Sequence, residues 1–113
     1  MRRVYVSRPL PAVCLERLRA EAEVTLLPGE APRTEAELLR SMPGHDVAIV
    51  QLTEPVTARV LDACSPKLAL VAQVAVGLDN VDLRAARRLG VAVSHTPGVL
   101  TDATADLCLA LIL

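Results

Sequence analysis

Short apolar runs separated by polar stretches recur along this chain, and their periods alternate between two and about three and a half. RRVYVS, at the start, reads as a strand, and from Pro11 to Ala22 the residues Val13, Leu15 and Leu18 return at near-helical spacing with charges on the other side. EVTLL predicts a second strand. After the loop PGEAPR comes TEAELLRS, where Thr34 followed three residues on by Glu37 has the form of a capping box at a helix start. VAIVQ is strand three, and TARVLDA a short helix with Thr57 as its N-cap. LALVAQV is so continuously apolar that it fits a strand covered on both faces. DLRAARRLG starts on an Asp82 cap, carries Arg87 and Arg88 in its last turn and meets Gly90 beyond it; VAVSH is strand five. This order predicts an α/β fold with a parallel five-stranded sheet, flanking helices and right-handed crossovers.

Composition narrows the function more than the fold. A chain of 113 residues is one domain's worth. Its formal charge is −1 and Lys67 is the single lysine, so no basic stripe is available for nucleic acid. The apolar runs fall short of the roughly 18 residues a membrane span needs. Arg8 and Glu16 interrupt any apolar core of a signal peptide, which leads us to expect a cytoplasmic protein. Cys14, Cys64 and Cys108 lie far apart with no CxxC pair, and so read as reduced, buried thiols and not as a disulfide framework or zinc site.

The last stretch, TDATADLCLALIL, reads as a helix capped by Thr101 with Asp102 and Asp106 early, where the helix dipole favours acids. Its apolar run is one that other surfaces should cover, and we expect the 113 residues to be the front piece of a longer protein.

The chemistry is concentrated where strand four ends. In VAQVAVGLDNVDL the apolar run gives way to Gly77, Asp79, Asn80 and Asp82. Ligands of open α/β sheets bind beyond the carboxyl ends of the strands. A glycine there allows an unusual φ and close ligand approach, so that neighbouring N–H groups can point at an anion such as a carboxylate. Asp82 caps the next helix, and Asp79 is expected to close the turn with Asn80. An EF-hand loop is excluded, because the glycine and closing glutamate are absent at the required offsets. Taken alone, this arrangement is equally a plain strand, turn and cap.

VAVGLDNVDL followed by RRLGVAVSHTPGVLTDATADL resembles the N-terminal substrate-binding part of the D-isomer-specific 2-hydroxyacid dehydrogenases, nearest the glyoxylate and hydroxypyruvate (glycerate dehydrogenase) reductases. The resemblance covers the chain from VYVSRPLP to the last residue. It implies a flavodoxin-like substrate domain over residues 1–98, with 99–113 beginning an interdomain helix that leads to a Rossmann domain and builds a homodimer. It implies that backbone amides at Val76 and Gly77 hold the carboxylate of a small 2-oxo acid and that Leu52 and Thr53 border that substrate. Thr104, and with it Val76, would face the NAD or NADP nicotinamide. The catalytic His, its acidic partner and the carboxylate-binding Arg would lie beyond residue 113, so the chain would hold no catalytic residue and be inactive alone. No GxGxxG occurs here, and no metal is implied. Gln73 and Leu78 stand where related sequences often carry other residues, a difference that bears on substrate choice. His45 and His95 then read as turn and strand-end residues with surface or structural roles. The alternative is a non-catalytic ligand- or partner-binding module, such as the corepressor relatives of these enzymes. A phosphoacceptor receiver fits less well, because VAIVQLT ends without an aspartate.

Overall fold

The computed structural model describes residues 1–96. Five strands, β1 (Arg3–Val6), β2 (Glu23–Leu26), β3 (Val47–Val50), β4 (Leu70–Gln73) and β5 (Ala92–Ser94), alternate with four helices, α1 (Ala12–Glu21), α2 (Glu35–Ser41), α3 (Ala58–Cys64) and α4 (Leu83–Leu89). All strands are parallel, in the order β2-β1-β3-β4-β5. This is the flavodoxin-like order, in which the winding reverses between β1 and β3. The elements match the sequence pattern, with ends shifted by a residue or two.

Alternation along each strand builds two cores. Tyr5, Ala48, Val50 and Val71 pack with Leu38 and Met42, with Leu61 of α3 and with Ala85 and Ala86 of α4. Val4, Val6, Val47, Ile49 and Ala72 pack with Cys14 and Leu18 of α1 on the other face. The four residues of β3 are all buried, which is why VAIV is apolar without a break.

The helix ends follow their signals. Thr34 and Glu37 form the reciprocal capping box of α2, the Thr57 side chain accepts from Val60 N–H, and Asp82 accepts from Ala85 N–H. Gly90 ends α4 at φ 74°, where a side chain would be strained. Helix α1 departs from expectation. It buries Cys14, Leu15 and Leu18, one contiguous face, and turns Val13 outward.

Cys14 and Cys64 are buried, and Cys108 lies outside the described residues. Burial pushes the Cys64 thiol up to about 11, so it is neutral and unreactive near pH 7. His45 is buried, bonded through Nδ1 to the Met42 carbonyl (2.9 Å) and through Nε2 to Thr25 Oγ1 (3.0 Å), with its ring edge-on to Tyr5. It is structural. Among the described residues no cluster of His, Cys, Asp and Glu could hold a metal, and no helix is long and apolar enough to cross a membrane.

Candidate functional site

A parallel sheet delivers the carboxyl ends of all its strands to one edge, and in open α/β sheets ligands bind at that edge near the change of winding, here between β1 and β3. The register pairs Val50 with Gln73, so the loops that follow β3 and β4 leave the sheet side by side. These carry the four residues expected at the substrate, Leu52 and Thr53 on the first loop and Val76 and Gly77 on the second. All four are exposed.

The β3 loop is built around a carboxylate. Glu54 is fully buried and accepts hydrogen bonds from Ser7 Oγ (2.6 Å), Thr53 Oγ1 (2.8 Å) and Gln51 N–H (3.2 Å), with Arg8 Nε 3.6 Å away. Arg8 continues outward to Gln51 Oε1 (2.6 Å) and the Glu30 carbonyl (3.1 Å). The largely buried Arg33 donates to the carbonyls of Ser7 (2.7 Å), Pro28 (2.6 Å) and Gly29 (2.9 Å). A buried charge persists only when paired and hydrogen-bonded, and this arrangement satisfies Glu54 from four directions.

The β4 loop is held through its main-chain carbonyls. Ala75 C=O accepts from Thr96 N–H (3.0 Å), Val76 C=O from His95 Nδ1 (2.8 Å) and Gly77 C=O from Gln73 Nε2 (3.2 Å). Among the described residues, none accepts from the amide of Val76 or Gly77. Val76 is itself 60% exposed.

Asn80 joins the two loops. Its Nδ2 donates to the carbonyls of Gln51 (3.1 Å) and Glu54 (2.8 Å), and its Oδ1 accepts from Gln73 Nε2 (2.5 Å). Beside it Val56 bridges Val81, with Val56 N–H on the Asn80 carbonyl and Asp82 N–H on the Val56 carbonyl.

One expectation needs correction. Gly77 takes no left-handed φ; among the described glycines only Gly29, Gly44 and Gly90 do, and a Cβ built on Gly77 meets nothing within 4 Å. What glycine provides there is open access, not a special turn. Asp79 and Asn80 do form the turn, closed by Val81 N–H on the Leu78 carbonyl (3.0 Å), and the Asn80 side chain in addition braces the β3 loop. Gln73 is buried beneath the β4 loop, where its Nε2 donates to the Gly77 carbonyl. Thr104 and the rest of 97–113 lie outside the described residues. The sequence pattern does not single out Ser7, Arg8, Arg33, Glu54 and Asn80 as site-builders. The available signal is the position of Ser7 and Arg8 at the end of β1, on the winding reversal.

Known proteins are similar to this chain along nearly its whole length. The family described as D-isomer specific 2-hydroxyacid dehydrogenase, catalytic domain, matches residues 4–110. A glyoxylate reductase of Korarchaeum cryptofilum is 40% identical over 111 residues, covering 98% of this chain and 33% of its own length. That of Thermococcus kodakarensis is 39% identical with the same coverage. The crystal structure of the TT0316 protein of Thermus thermophilus superposes with a TM-score of 0.80 at 46% identity, over 98% of this chain and 35% of that one. The chain thus spans about a third of the length of the relatives it matches. A family pattern running from the first strand to residue 110, on the fold of a relative 46% identical, shows that the chain belongs to the D-isomer specific 2-hydroxyacid dehydrogenases.

Proposed function

We propose that this chain forms the substrate wall of an NAD(P)H-dependent, cytoplasmic reductase of small 2-oxo acids, glyoxylate or hydroxypyruvate. The observation that carries the reading is the Val76–Gly77 crest. Its carbonyls are taken up by the fold, while among the described residues the amides of these two exposed residues are not, and paired N–H groups at the end of a parallel strand suit a carboxylate. Leu52 and Thr53, on the neighbouring loop, border the same ligand.

In this reading residues 1–98 are the substrate-binding part, and 99–113 lead toward a Rossmann domain and a homodimer interface. That remaining part supplies the His that protonates the alkoxide, its acidic partner and the Arg on the carboxylate. A nicotinamide cofactor supplies the hydride when bound. The glycines of this chain form no GxGxxG to cradle its phosphates, so the residues present fit only its nicotinamide edge, through the exposed Val76 and through Thr104.

Gly77→Val in the full-length enzyme tests the cradle. Because the added side chain meets no protein atom near its Cβ and Gly77 uses no left-handed φ, folding should be unaffected while the ligand is crowded. The glyoxylate KM should rise by about tenfold or more, with cofactor Kd within about twofold of the parent. An unchanged KM would take the loop out of the active site.

A further inference from the structure

Resting on that reading of the cradle, we infer that His95 is a positioning residue that aims the Gly77 amide at the substrate carboxylate. His95 follows β5, is exposed, and reaches across 19 residues of sequence to the Val76 carbonyl at 2.8 Å. A carbonyl only accepts, so Nδ1 carries the hydrogen. The neutral Nδ1–H tautomer and the imidazolium both meet that need, and the contact does not depend on the charge of the ring.

The consequence follows from peptide geometry. In a planar trans peptide the C=O of one residue and the N–H of the next point in opposite directions. Fixing Val76 C=O on His95 therefore turns Gly77 N–H away from His95. The flanking peptides are fixed by other groups, Ala75 C=O by the Thr96 main chain and Gly77 C=O by the buried Gln73. Of the three anchors, His95 is the one made by an exposed side chain, so it can be removed without opening the core. A Cβ built on Gly77 meets nothing within 4 Å, so the protein does not close over that side of the freed peptide. Rotation would present the Val76 carbonyl, a negative dipole, to the carboxylate in place of an N–H.

The full-length enzyme carrying His95→Ala tests this. Loss of one orienting hydrogen bond should raise the glyoxylate KM roughly three- to tenfold, with kcat and cofactor Kd within about twofold of the parent. His95→Asn should recover most of the loss, because Asn Nδ2 is attached to Cγ as His Nδ1 is and can donate to the same carbonyl. A KM for His95→Ala within about twofold of the parent overturns the role, as does an asparagine variant no better than the alanine one. Gly77→Val separates the two proposals. If it raises KM and His95→Ala does not, the cradle stands and His95 has no part in it; if it leaves KM unmoved, the cradle falls and His95 with it.

Discussion

The loops after β3 and β4 leave neighbouring strands at the same edge of the sheet, yet they are held in opposite ways. The first folds over its own charge: Glu54 turns inward and collects Ser7, Thr53, Gln51 and Arg8 around a fully buried carboxylate. The second gives up its carbonyls to Thr96, His95 and Gln73, while among the described residues nothing accepts from the Val76 and Gly77 amides. A loop whose polar groups satisfy one another serves the fold. One whose acceptors are satisfied and whose donors are not suits the anion of the proposed function. On the proposed function, the buried half of the β3 loop thus serves stability while the β4 crest, one strand spacing away, serves recognition.

The largest test of that contrast is Glu54→Ala. It would leave the Ser7 hydroxyl and Gln51 amide without their acceptor, and Arg8, with a side chain only 19% exposed, without its counter-charge. Removing one partner of such a buried pair should cost about 3 kcal/mol, read as a lowered urea midpoint of the chain. Glu54→Gln, which keeps an acceptor oxygen but not the charge, should fall between. A cost below about 1 kcal/mol for the alanine variant would mean that the β3 loop is not held by this carboxylate. Gly77→Val should show the reverse pattern, a large change in KM at nearly constant stability.

Asn80 couples the two loops, and its removal should disturb both. Asn80→Ala deletes donors to the Gln51 and Glu54 carbonyls and the acceptor for Gln73 Nε2. We expect a loss of about 2 kcal/mol in urea unfolding together with a raised glyoxylate KM in the full-length enzyme. Asn80→Asp should be at least as damaging despite its matching shape, because it sets a carboxylate oxygen against two carbonyls. If only stability changes, the loops are independent.

Much of this molecule is legible in the chain because it is local. Thr34 with Glu37, Thr57, Asp82 and Gly90 each act within four residues of their position, and the two-sided burial of VAIV follows from its lack of polar interruption. The exposed crest at Val76 and Gly77 can be placed because a parallel sheet puts every strand end at one edge. The scaffold beneath it is not legible. Ser7 and Glu54 are 47 residues apart, Arg33 and Ser7 26, and Asn80 and Glu54 26. In sequence each is an ordinary polar residue in a loop, since nothing nearby shows which will turn inward. Gly77 misleads for the related reason that glycine signals either a special φ or close approach, and only the backbone tells which.

The smallest expected effect separates two uses of one hydroxyl. Thr53 is exposed on the loop proposed to border the substrate, but its Oγ1 already donates to Glu54 Oε2 at 2.8 Å. Thr53→Val keeps the shape and deletes that hydrogen bond. Water can reach this exposed position and replace part of the interaction, so the loss should be only about 0.5–1 kcal/mol in urea unfolding. If the hydroxyl serves Glu54, the glyoxylate KM should stay within about twofold of the parent, because the substrate meets the same surface. If it serves the ligand instead, KM should rise several-fold while stability holds. That result would move Thr53 from the side of the comparison that stabilises the fold to the side that recognises the anion.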